Sequence, residues 1–293
     1  MHFCNAMGKQ NFNSWFLFIL LSLIWGSSFI LMKESAKQLT GIQIGAIRIF
    51  AAGVSFLPFA IFHIRKIPGK KFLPVILSGL LGNLIPAFLF ATAIHDNGES
   101  SLASILNSLT PLFVILIGIL FFKAKIHAKK ITGVLVGFIG LLILGVSKGR
   151  AGADTGLIMI LIATVCYGIT VNIVSYYLKG IDGLTIAAVS LTFMAIPAGI
   201  VLWTQNVFSM VRYDPEARLS IAIAALLGIT SSAIATAFFY ILIQKAGALF
   251  ASLVTYAIPV VAIMWGLLAN ENISALQFGA LAVILGGVYL ANR

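Results

Sequence analysis

A chain of 293 residues that is 60% hydrophobic and only 9% charged lacks the polar surface of a water-soluble fold, in which roughly a quarter of residues are charged. The net charge of +11 would suit a nucleic-acid binder, but Lys and Arg fall in short clusters between apolar runs instead of along one face, so no nucleic-acid partner is expected. Of the two cysteines, Cys4 lies near the N-terminus and Cys166 inside an apolar run, so both are expected to be free thiols.

The apolar runs match a hydrocarbon core of roughly 30 Å, which a helix of about 20 residues crosses; barrel strands would alternate in shorter segments. Bounded by charged or turn residues, they predict helices over 14–33, 42–62, 73–93, 102–122 and 131–147. Five more follow over 157–178, 184–204, 220–244, 248–268 and 275–291. The first run, preceded by Lys9, resembles a signal peptide, yet it is long enough to span and reads as an uncleaved anchor. The expected class is an all-α integral membrane protein with ten transmembrane helices in a lipid bilayer.

Ten spans put both termini on one side, and Lys and Arg accumulate on the cytoplasmic side. Lys9, Arg65, Lys66, Lys70, Lys71, Lys123, Lys125, Lys129, Lys130, Lys179, Lys245 and Arg293 fall on the N-terminal side. Lys33, Lys37, Lys148, Arg150, Arg212 and Arg218 fall on the other, and Arg48 lies within a span. The termini are therefore expected in the cytoplasm.

The chain also repeats itself. Aligning "SLASILNSLTPLFVILIGILF" with "ALFASLVTYAIPVVAIMWGLL" on Pro111 and Pro259 superimposes Ala103-Ser104 on Ala251-Ser252 and Gly118 on Gly266. The following helices match with Gly133 on Gly279 and Gly140 on Gly286. Earlier, "LLGN" from Leu80 answers "LLGI" from Leu226, and Trp25-Gly26 answers Tyr167-Gly168. Each half, 1–147 and 148–293, then holds five helices within one integrated membrane domain. Because five is odd, the second copy enters the membrane inverted. Inverted halves can exchange conformations around a fixed central site, which suits alternating access.

These blocks, with "LLSLIWGSSFILMK" in the first helix, Arg48 in the second and "ASLVTYAIPVVAIMWGLLANENISALQFGALAVILGGVYL" at the end, resemble the EamA-type branch of the drug/metabolite transporter superfamily over nearly the whole chain. One departure is Lys123, where members often carry a glutamate after the fourth helix; Glu271 holds the corresponding place after the ninth. The resemblance implies a multi-pass protein of a bacterial plasma (inner) membrane that exports or takes up metabolites such as amino acids. It also implies a cavity built by helices of both repeats.

Within the spans, Pro111 and Pro259 each remove an amide donor and free the carbonyl four residues earlier, at Asn107 and Thr255, which suits a substrate site, a hinge or a packing kink. Trp25 and Tyr167 lie near the centres of their spans, where a ring can wall a cavity or pack between helices, whereas Trp15 and Trp203 read as interfacial belt residues. Arg48 starts roughly 9 Å below the end of its helix. It could grip a substrate carboxylate or phosphate, snorkel, or pair with Glu34. Asn83, Asn172 and Tyr256 need partners that hydrocarbon cannot supply, so they face a wet cavity or bond between helices. The Gly133 to Gly137 pair reads as a small-residue packing face, with a homodimer contact as the second option.

All eight acidic residues fall at helix ends or in loops, which disfavours a buried carboxylate proton relay and favours a facilitator or exchanger. His95-Asp96 is the nearest thing to a catalytic pair, and no nucleophile motif, cofactor loop or metal-spaced set accompanies it, so a membrane enzyme is disfavoured. A scaffold or receptor would have no obvious use for two interconvertible halves. The leading expectation is a small-metabolite transporter, more specifically an exporter, with substrate contacts at Trp25, Arg48, Asn83, Asn107, Tyr167, Asn172, Thr255 and Tyr256 and hinges at Pro111 and Pro259.

Overall fold

The computed structural model describes residues 12–97, 100–146, 155–268 and 275–292. Cys4, Lys9, Glu99, Lys148, Arg150, Asp154, Glu271 and Arg293 lie outside the described residues. Among the described residues the regular structure is helical and makes ten passes.

The first half begins with α1 (Phe12–Ser35) and α2 (Gly41–His63). The third pass joins α3 (Gly69–Gly79) through a π-helical turn, Leu80–Leu84, to α4 (Ile85–Asn97). The fourth is broken into α5 (Ser100–Asn107) and α6 (Thr110–Phe122), and the fifth is α7 (Ala128–Val146). In the second half, α8 (Thr155–Tyr176) and α9 (Gly183–Thr204) are followed by a short helix, α10 (Val207–Tyr213). The eighth pass joins α11 (Pro215–Leu227) through a π-helical turn, Gly228–Ile234, to α12 (Ala235–Ala246). The ninth is broken into α13 (Ala248–Ser252) and α14 (Val254–Leu268), and α15 (Ala275–Asn292) is the tenth. Among the described residues, six passes are each long and apolar enough to cross a membrane, and shorter apolar helices lie in the fourth, ninth and tenth passes.

Local chemistry sets the helix ends. Thr40 and Gln43 form a reciprocal capping box on α2, at 3.3 and 2.9 Å. Asp182 accepts the Thr185 amide at 3.2 Å, and Asp214 accepts those of Glu216 and Ala217 at 3.1 Å, so two of the acidic residues expected at helix ends are caps. The π-helical turn of the third pass precedes Pro86, whose ring would strike the Gly82 carbonyl in an unbroken α-helix. In the eighth, the Thr230 hydroxyl bonds back to the Leu226 carbonyl at 2.8 Å and competes with the regular ladder.

The second half is inverted against the first, and the contacts repeat under that inversion. A Cβ on Gly26 of α1 would lie 2.6 Å from Val261 of α14, and one on Gly168 of α8 would lie 2.8 Å from Phe113 of α6. Gly26 and Gly168 are equivalent, and so are Val261 and Phe113. Trp25 sits edge-on to Phe239 of α12 at 5.0 Å, and its counterpart Tyr167 stacks on Phe90 of α4 at 6.1 Å. The second helices of the halves, α2 and α9, meet where a Cβ on Gly53 would lie 2.4 Å from the Leu191 carbonyl. The fifth helices, α7 and α15, pack as closely: a Cβ on Gly133 would lie 2.2 Å from the Ala291 amide, and one on Gly287 would lie 2.3 Å from the Gly137 amide. The Gly133 to Gly137 face is thus occupied by α15 of the same chain.

The buried apolar side chains form three clusters, one of which, around Ile49, Ala52, Leu191 and Ala198, joins α2 to α9. Another includes Phe18, Leu21, Phe250 and Leu253, and the third includes Phe29, Met32, Phe90 and Ile258.

Candidate functional site

A cavity lies on the seam between the halves. Its wall takes residues from α1, α2, both π-helical turns, α4, α5, α6, α8, α12 and α14. Of the eight contact residues expected from sequence, Trp25, Arg48, Asn83, Asn107, Tyr167 and Thr255 line it.

Both π-helical turns deliver polar groups to this wall, because a wide turn offsets the side chains that follow and breaks the regular hydrogen-bond ladder. The first presents Gly82 and Asn83, and the second Ser231 and Ser232. The Trp25 indole N–H donates to the Ser231 carbonyl at 2.9 Å, fixing the ring across the seam. Asn83 is held on both sides: its Oδ1 accepts from the Thr236 hydroxyl at 2.9 Å, and its Nδ2 donates to the Tyr240 hydroxyl at 3.4 Å. Tyr240 in turn donates to the Ser78 carbonyl at 3.2 Å.

Arg48 Nε donates to the Ser232 hydroxyl at 2.6 Å, its one hydrogen bond to another described residue. Glu34 pairs with Lys37 at 2.5 Å, so it does not neutralise Arg48. Gly228 lets the second π-helical turn pack against the backbone of α2 at Arg48, since a Cβ there would lie 2.2 Å from the Arg48 carbonyl. No described Asp or Glu lines the cavity.

Three side-chain atoms are buried without a hydrogen-bond partner among the described residues: Asn107 Oδ1, Thr170 Oγ1 and Ser231 Oγ. All three belong to cavity-lining residues. Unpaired polar groups are rare in folded proteins because each forfeits hydration, so three around one void mark a surface that water or a solute completes.

Asn172 and Tyr256 lie elsewhere. The Asn172 amide donates to the carbonyls of Val114 at 3.0 Å and Gly168 at 2.9 Å, tying α8 to α6. The Tyr256 hydroxyl donates to the Val134 carbonyl at 2.8 Å, and its ring fills the notch at Gly137. Both make interhelical bonds, the alternative to a wet cavity for a polar residue in a span.

The prolines differ from each other. Pro111 is expected mid-helix, but the pass breaks at Ser108-Leu109 and Pro111 falls in the first turn of α6, where its missing amide leaves no intrahelical gap. The Asn107 carbonyl accepts the Thr110 hydroxyl at 2.6 Å. Pro259 lies within α14 and does free the Thr255 carbonyl, which the Ser108 hydroxyl meets at 2.6 Å. Thr170, Ser231, Ser232 and Thr236 are not expected from sequence. The adjacent hydroxyls of Thr230, Ser231 and Ser232 shortly after the repeated Leu-Leu-Gly, in an otherwise apolar run, are the signal that could have found them.

A cavity with polar groups on its wall, set between inverted five-helix halves, fits a multi-pass membrane transporter. The family model described as the EamA-like transporter family matches this chain twice, over residues 13–146 and 154–293, and the chain belongs to that family. It is 26% identical over 277 residues to a protein of Escherichia coli K12 named as the uncharacterized inner membrane transporter YedA, covering 93% of this chain and 88% of the relative. An uncharacterized transporter of Archaeoglobus fulgidus is 25% identical over 281 residues, covering 95% and 98%. A crystal structure shares the fold with a TM-score of 0.69 at 18% identity, covering 96% of this chain and 97% of the other.

Proposed function

We propose that this protein is a secondary transporter that exports a small metabolite, an amino-acid-like or other amphipathic solute, by alternating access between its two halves. The observation that carries this reading is the placing of Asn107 Oδ1, Thr170 Oγ1 and Ser231 Oγ, all buried and unpaired, around one cavity on the seam. A scaffold would pair or fill such groups; a carrier leaves them for its cargo.

The bilayer is read as a bacterial inner membrane, in line with the name of the Escherichia coli relative. Cytoplasmic termini follow from the excess of Lys and Arg on the N-terminal side. Trp25 and Tyr167 act as facing walls, Arg48 and Asn83 as polar contacts, and the breaks near Pro111 and Pro259 as the points where the fourth and ninth passes flex. Asn172 and Tyr256 support the site through helix packing. The absence of a described carboxylate from the wall favours a facilitator or exchanger over a proton-driven carrier.

Comparing metabolites in cells and medium tests the reading, using strains with the protein, with Arg48→Ala and with neither. Depletion of a small metabolite from cells and its rise in the medium, lost in Arg48→Ala, is expected. Identical profiles with and without the protein would overturn it. Collapse of transport by an uncoupler at a fixed solute gradient would overturn the facilitator or exchanger mode alone.

A further inference from the structure

Among the described residues the wall of the cavity carries one ionic group, and no described carboxylate pairs with it. Arg48 is cationic, its one hydrogen bond to another described residue is to the neutral Ser232 hydroxyl, and the ion pairs among the described residues are Lys37 with Glu34 and His95 with Asp96. The surrounding wall is built largely of rings and aliphatic groups, including Trp25, Phe29, Phe90 and Phe239. In such a low-dielectric pocket a lone cation raises the local concentration of anions and repels cations. The nearby unpaired hydroxyls of Thr170 and Ser231 can both donate to an acceptor.

We infer that the transported solute is itself the counter-ion of Arg48: a net monoanionic, amphipathic molecule whose carboxylate or equivalent anion meets the guanidinium and whose apolar body lies between the rings of the two halves. This inference rests on the transport reading above and assigns the class of solute. A zwitterion fits less well, because no described carboxylate is present to receive its ammonium group. A carrier built this way changes the side its cavity faces more easily loaded than empty, since the anion neutralises a charge that otherwise remains buried alone.

Charged thiol reagents test it whatever the identity of the cargo. Ser231→Cys is made in full-length protein carrying Cys4→Ser and Cys166→Ala, with Thr170→Cys as the second reporter should the first fail to fold. Reconstituted in vesicles, each is treated with 2-sulfonatoethyl methanethiosulfonate (anionic) and 2-trimethylammonioethyl methanethiosulfonate (cationic), with rates normalised to a free thiol. The anionic reagent is expected to react about tenfold faster, with the ratio falling to near unity in Arg48→Gln. 3-Phenylpropanoate is expected to slow labelling, while 3-phenylpropylamine and 3-phenylpropionamide leave it unchanged.

A faster cationic reagent, or equal protection by the amine, would overturn the anionic class and leave the transport reading standing. Better protection by L-phenylalanine than by 3-phenylpropanoate would overturn it in favour of a zwitterion. Failure of both reagents to reach either reporter from either side of the membrane would overturn this inference and the transport reading together.

Discussion

The Ser108 hydroxyl donates to the Thr255 carbonyl at 2.6 Å, so the break in the fourth pass completes the backbone that Pro259 leaves open in the ninth. The bond crosses between the halves in the membrane interior, where water is not at hand to replace it. Ser108→Ala would strand a buried carbonyl, and a loss of about 1–3 kcal/mol is expected. A lowered midpoint of thermal unfolding in detergent checks this. An unchanged midpoint would mean that the carbonyl finds another donor.

Thr170 and Asn172 are neighbours on α8 with different tasks, and substitution should separate them. Asn172→Ala removes one interhelical bond, to Val114, and one bond within α8, to Gly168, beside the close approach at Gly118, so a stability loss of about 1–3 kcal/mol is expected with solute affinity in surviving protein unchanged. Thr170→Val keeps the shape and removes an unpaired hydroxyl, so stability should hold or rise while affinity falls by about 1 kcal/mol, roughly fivefold. Unfolding and transport measured on both variants check the pair; the reverse pattern would misplace the cavity.

Gly228 and Arg48 offer a second separation. An added methyl at 228 would meet the Arg48 carbonyl oxygen at 2.2 Å, a clash with backbone that no side-chain rotation relieves. Gly228→Ala is expected to destabilise by about 1–3 kcal/mol and to shift the guanidinium from the cavity. Gly279→Ala, which meets nothing within 4 Å, serves as the tolerant control. Similar unfolding midpoints for the two would contradict the close packing of α2 against the π-helical turn.

Trp15, Phe18 and Phe250 form a three-ring cluster, with centroids 5.2–5.5 Å apart, that joins α1 to α13 at the N-terminal end of the bundle. If alternating access operates, these rings must part when the cavity opens on that side. Phe250→Ala removes two ring contacts of about 0.5–1.5 kcal/mol each, which would move the open-to-closed ratio by roughly tenfold. Faster labelling of Ser231→Cys from the N-terminal side is the expected readout, and an unchanged rate would place the barrier elsewhere.

The sequence alone determined the environment and the architecture. Apolar runs of bilayer length, separated by short charged segments, leave helices as the element that satisfies its own backbone in lipid. Duplication of an odd number of helices then forces the inversion. The equivalence of Trp25 with Tyr167 was legible for the same reason, since homologous positions in two copies keep homologous places. Tertiary structure alone decided which polar residues meet at the seam. Asn172 and Tyr256 are polar residues in apolar spans just as Asn107 and Thr255 are, yet α8 turns Asn172 toward α6 and α14 turns Tyr256 toward α7. The direction of a side chain depends on helix rotation, on the break at Ser108-Leu109 and on the two π-helical turns, and those follow from packing between segments more than a hundred residues apart. A linear pattern records that a group needs a partner; the folded chain selects which one it finds.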